Sequence, residues 1–152
     1  MFWDSSAVVP LLLPEARSEL LAQSLAAERE MTLWWGTPVE CLSAIYRRHR
    51  EAPIPAPAMN AVVERLRAVV EDADTVAPTD DVRRRAGRLV ASHSLRAGDA
   101  LQLAAALIWC EEQPTGESFV CLDERLCEAA RREGFTVLPY INADPVLAKR
   151  PR

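Results

Sequence analysis

The segment Leu95–Cys110, LRAGDALQLAAALIWC, constrains this chain more than any other. From Ala100 onward almost every position is apolar and a good helix former, yet the run is too short to cross a bilayer. A helix that is apolar all round belongs inside a protein, covered on several sides. One carboxylate, Asp99, stands at its leading edge, and a charge at the mouth of a buried helix has to be capped, paired or metal-bound. Which of these holds decides what the protein does.

A length of 152 residues predicts one domain over residues 1–141, large enough for a substantial core, followed by a tail at 142–152. Hydrophobic residues make up 49% and charged residues 26%, the balance of a soluble globular protein. A net charge of −4 argues against a broad basic surface for duplex DNA, while local arginine clusters still suit RNA. Lys149 is the only lysine. The start Met1-Phe2-Trp3-Asp4 lacks the basic and apolar regions of a signal peptide, and no run reaches membrane length, so the expected compartment is the cytoplasm. The cysteines Cys41, Cys110, Cys121 and Cys127 show no Cys-x-x-Cys spacing, and the only histidines are His49 and His93. That inventory speaks against zinc and for reduced thiols.

In chain order, Met1–Trp3 is a short apolar strand running into Asp4-Ser5-Ser6. Ala7–Leu13 reads as a helix broken near Pro14, and Glu15–Glu28 as a second. Met31–Trp35 is the next strand. Thr37 as N-cap and Pro38 in the first turn then open a helix to Arg50, with Val39, Leu42, Ile45 and Tyr46 as its apolar face. Glu51–Pro57 is a stiff proline-rich connection, too short to separate domains. Helix resumes over 58–70, Asp72–Val76 carries a short strand, and Pro78-Thr79 starts a helix with Val82, Ala86, Leu89 and Val90 inward. After the central helix come a strand at Ser118–Leu122, a helix at Glu124–Arg132 ended by Gly134, and a last strand at Phe135–Leu138. Strands alternating with helices predict an α/β fold with a mainly parallel sheet covered on both faces.

In such a sheet, ligands bind beyond the carboxyl ends of the strands. Asp4 follows the first strand, Asp123 follows Ser118–Leu122, Asp99 opens the central helix, and Glu40 lies in the first turns after the second strand. Singly, Asp4, Asp99 and Asp123 each stand where a helix N-cap belongs, and Glu40 reads equally well as a dipole-favoured surface residue. Together they form an acid cluster that repels itself unless a divalent cation is present. Magnesium and manganese favour all-oxygen ligands, and such a pocket can activate water against a phosphodiester.

The chain resembles the PIN-domain nucleases, specifically the VapC-type toxins of toxin–antitoxin pairs. The resemblance spans nearly the whole chain and rests on four stretches: Phe2–Ala7, Thr37–Ser43 around Glu40, Leu95–Ala106 around Asp99, and Phe119–Leu126 around Asp123. It implies a three-layer α/β/α sandwich around a short, mainly parallel sheet, and Mg2+- or Mn2+-dependent cleavage of RNA. It also implies a cognate antitoxin that blocks the acidic pocket, and homodimerisation. Carried over by position, Asp4, Glu40, Asp99 and Asp123 are the metal-site acids, through which metal-activated water would hydrolyse RNA. Ser6 matches a polar residue near the first acid; a hydroxyl bonding local backbone is the competing account. Two positions depart from the pattern: Cys121 where a threonine or serine is common, and Gln102 where a histidine is frequent.

Arg47, Arg48 and Arg50, and the run Arg83–Arg85, suit either phosphate contacts or a solvated helix face. Arg96 lies three residues before Asp99, placed to pair with the acids or reach substrate. Strand alternation puts one of Trp34 and Trp35 in the core and the other outward, and His93 reads as a partly exposed helix-end residue. The leading expectation is an endoribonuclease toxin, binding DNA only through its antitoxin. Its alternative is a catalytically silent PIN-like module that binds RNA or protein. A phosphoacceptor receiver domain also places acids at strand ends, but it uses a lysine beside them, and Lys149 is in the tail.

Overall fold

The computed structural model describes residues 1–28 and 30–140; the expected tail at 142–152 and its boundary lie outside them. In chain order the described residues form β1 (Phe2–Trp3), α1 (Ser5–Leu12), α2 (Ser18–Ala27), β2 (Thr32–Trp34), α3 (Thr37–Glu51) and α4 (Ala56–Asp72). There follow β3 (Asp74–Val76), α5 (Asp80–Ser92), α6 (Ala97–Trp109), β4 (Ser118–Val120), α7 (Glu124–Glu133) and β5 (Thr136–Leu138). The five strands make one sheet in the order β3-β2-β1-β4-β5, and every pairing is parallel.

Side-chain alternation explains why helices cover both faces of this sheet. Phe2, Trp34, Phe119 and Val137 point to one face and share a core with α5, α6 and α7. Their neighbours Trp3, Leu33, Val120 and Leu138 point to the other, packing with α1 to α4. Strands buried on both faces read as continuous apolar runs, and these do. Right-handed crossovers require the same division. The chain steps β1 to β2 to β3 in one direction, then reverses from β3 to β4 and β5, so the helices of the two halves fall on opposite faces. The result is an α/β fold with three layers.

The central helix behaves as its composition demands. In α6, Ala100 and Gln102 to Leu107 are all buried. A charged network braces this layer from outside. Arg85 Nε bonds both carboxylate oxygens of Glu112 at 3.0 and 3.1 Å, and its Nη2 reaches Glu133 Oε2 at 2.7 Å. His93 Nε2 meets the other oxygen of Glu133 at 2.7 Å. Of the run Arg83–Arg85, the first two instead pair locally with Asp80 and Asp81. Arg48 pairs with Glu15.

Several local expectations need correction. Gly36, not Thr37, is the residue before α3: its backbone is already helical, and its carbonyl accepts the first helical bonds, from the Val39 and Glu40 N–H groups at 3.1 and 3.2 Å. Thr37 is already helical and buried. Ile45 faces inward as expected and Leu42 packs half-buried against the same core, but Thr37 and Cys41 complete that face, and Val39 and Tyr46, on neighbouring stripes, are exposed. Val90 is exposed for the same reason; Val82, Ala86 and Leu89 face inward as expected. The second helix starts at Ser18 rather than Glu15, since the Ser18 hydroxyl folds back on the Glu15 N–H and the Pro10 carbonyl. Helix α4 starts at Ala56, taking in Pro57, whose missing N–H matters little in a first turn. Trp34 is buried and Trp35 exposed, as alternation predicts. No helix among the described residues is long and apolar enough to cross a membrane.

Candidate active site

Strand order reverses between β1 and β4, and a crevice at the carboxyl ends of such a pair is where open α/β sheets bind ligands. Asp4 emerges there from β1. Its N–H continues the ladder to the Val120 carbonyl at 2.9 Å, and its Oδ2 accepts the Ser6 N–H at 2.9 Å, capping α1. Only 3% exposed, this carboxyl is pushed up to about 6. Burial is the chief cause; hydrogen bonds from Ser6 oppose it, and the charges of Glu40 and Asp99 add to it.

Ser6 ties the first acid to the last. Its hydroxyl accepts the Leu122 N–H at 2.9 Å, so it bonds backbone beyond β4 and not in its own helix. Its Oγ also touches Cys121 Sγ at 3.6 Å, and that thiol lies 3.7 Å from Asp4 Oδ2. Two residues on, Asp123 caps α7, accepting the Leu126 N–H on Oδ1 at 2.9 Å. Both caps were legible from the sequence.

Asp99 is not a cap. Arg96 holds that position, and Asp99 is the third residue of α6, in the first turn, where a carboxylate is favoured by the helix dipole. Burial raises its pKa, the charge of Asp123 raises it further, and the Arg96 backbone bond with the Arg96 and Arg125 guanidiniums pulls it back. Glu40 lies in the first turn of α3. Its Oε2 accepts the Gln102 Nε2 amide at 2.7 Å, and its Oε1 would sit 3.5 Å from a Cβ placed on Gly98.

All four acids therefore reach one edge of the sheet from four separate segments. Electrostatic coupling runs through them in pairs: Asp4 with Glu40 and Asp99, then Asp99 with Asp123. Asp99 and Asp123 line an open cleft of about 380 Å³, together with Arg96, Leu122, Glu124 and Arg125. Asp4 and Glu40 do not line it. Among the described residues, no three His, Cys, Asp or Glu side chains stand together as a ready ligand set.

The donor chemistry nonetheless fits a hard divalent cation. The acids offer only carboxylate oxygens, which magnesium and manganese favour. The neighbouring thiols are poor ligands: burial, then the charges of Asp4 and Glu40, push Cys41 up to about 12, and burial likewise keeps Cys121 protonated. Among the described residues, neither Arg96 nor Arg125 has a carboxylate within ion-pair distance.

Sequence reasoning gave no role to two members of this neighbourhood, although it marked Gln102 as a departure from the family pattern. Arg125 gave no distinguishing signal. Gln102 did: it is the only polar side chain from Ala100 to Trp109, and it follows Asp99 by one helical turn. No protein-family model matches this chain, and no curated protein matches it either.

Proposed function

We propose that this protein is a metal-dependent endoribonuclease with a PIN-like fold, the toxin of a toxin–antitoxin pair. One observation supports the reading: Asp4, Glu40, Asp99 and Asp123 lie toward one end of a parallel sheet, and among the described residues no arginine, lysine or histidine side chain forms an ion pair with any of them. Structural acids are ordinarily neutralised, so an uncompensated group at a ligand-binding edge is a functional candidate. Ordered appearance of the four acids in the motifs of VapC-type toxins gives the same answer from the sequence.

In this reading Asp99 and Asp123, which line the cleft, would hold Mg2+ or Mn2+ together with Asp4 and Glu40. A divalent cation bound there supplies activation of water and neutralisation of phosphate charge. Arg96 and Arg125, exposed at the cleft walls, meet the phosphate oxygens of single-stranded RNA. Ser6 keeps the β1 and β4 ends in register beneath the acids. The remaining partners are an antitoxin that covers the acids and a second copy in a homodimer; the place of action is the cytoplasm.

Cleavage of labelled total RNA by the purified protein, with Mg2+ or Mn2+ and with chelator, tests this directly. Asp99→Asn keeps the shape and removes a ligand charge, so cutting is expected to need metal and to vanish in the variant. Equal cutting by both proteins would sink the assignment. Absence of both metal binding and cleavage would leave a silent RNA- or protein-binding module.

A further inference from the structure

Gln102 is 1% exposed on a helix otherwise buried through alanine and leucine, a place where an unsatisfied amide is costly. Its partners lie in the opposite layer. Nε2 donates to Glu40 Oε2 at 2.7 Å and approaches Thr37 Oγ1 at 3.2 Å, while Thr37 Oγ1 lies 3.4 Å from Gln102 Oε1. Thr37 is itself buried and opens α3 just beyond β2. The bridge therefore passes over the carboxyl end of β2 and ties α6, on one face of the sheet, to α3, on the other.

Chemistry fixes the sense of the amide. A carboxylate only accepts, so the NH2 end has to face Glu40, and the Thr37 hydroxyl beside the amide holds it there. Glutamate in a first turn has free rotors and open solvent to enter. Here one oxygen is tethered to Gln102, and the other, Oε1, lies over Gly98 beside Asp99.

Resting on the nuclease reading, we propose that Gln102 is a positioning residue. It occupies Oε2 of Glu40 so that Oε1 alone is presented to the divalent cation. Acting on the metal only through Glu40, it resembles the outer-shell partners of metal-ligating carboxylates, whose loss weakens metal affinity by about 10–100-fold.

A double-mutant cycle read by Mn2+ titration with electron paramagnetic resonance tests this without any RNA. Gln102→Met keeps length and burial but removes the donor. It is expected to weaken Mn2+ binding by about tenfold in the wild-type background and to change nothing in a Glu40→Gln background. Thermal denaturation is expected to show the variant folded; Thr37→Val, which only loosens the amide, is expected to give a smaller loss in the same direction. Unchanged Mn2+ affinity in Gln102→Met, or the same loss in both backgrounds, overturns the inference alone. Wild-type protein that binds no Mn2+ overturns the nuclease reading and the inference with it.

Discussion

The Arg85 network and the carboxylates around Asp4 treat charge in opposite ways. In the first, one guanidinium and one imidazole converge on Glu133, and Glu112 completes the fork. Burial alone would raise the Glu133 pKa, but hydrogen bonds from His93 and Arg85 outweigh it and hold it below the ordinary carboxylate value. In the second, burial and neighbouring acids push the same way, and Asp4 and Asp99 are both raised. Sequence supplies cations to both places, since Arg96 and Arg125 are near. Of the two places, among the described residues, the cations close on the acids at the network and stand off at the cleft. Where one cluster is neutralised and another is not, the second is the candidate ligand site.

Four outcomes break or sharpen that contrast. Asp123→Asn keeps a good N-cap and removes a charge, so RNA cleavage is expected to fall at least about a hundredfold, ~3 kcal/mol in barrier, with the melting temperature unchanged. Retained cleavage would put Asp123 on the structural side of the comparison. Arg85→Met leaves Glu133 half-buried with His93 alone, and urea unfolding is expected to show a loss of about 2 kcal/mol. No loss would mean the network is ornamental.

Asp4→Asn should do the reverse, stabilising the metal-free protein by roughly 1 kcal/mol, because Asn caps α1 without a buried charge beside Glu40 and Asp99. Destabilisation measured in chelator would show the acids to be compensated after all. The smallest effect is in pH. A lowered carboxylate stabilises the folded state above its unfolded value and loses that contribution as pH falls through the folded one. The stability gap between wild type and Glu133→Gln is therefore expected to hold steady above about pH 5 and to shrink in stronger acid. A gap that widens on acidification would reverse the assignment.

Which features were readable beforehand follows from how far each signal travels along the chain. Phe2-Trp3 and Phe119-Val120 read as buried strands because burial on both faces leaves an apolar run. Asp4 and Asp123 read as edge acids because a strand end and a helix cap coincide at each. Long-range pairings left no local mark. Gln102 stood out as polar, but its partner Glu40 is 62 residues away. Helix α3 carries apolar residues on two adjacent stripes, and only packing decides that Cys41 and Ile45 go in while Val39 and Tyr46 stay out. Thr37 looked like a cap, but the helical bonds begin one residue earlier, at the Gly36 carbonyl.

The strand order also sets a timetable. β1 precedes the other described strands in sequence and lies in the middle of the sheet, yet its β4 neighbour is far from it along the chain. A nascent polypeptide carries Asp4 and Glu40 out of the ribosome before Asp99, and Asp123 comes last, next to the β4 strand that has to pair with the distant β1. Whatever chemistry the four acids perform together waits on β4, the strand whose end carries Asp123 to the sheet edge.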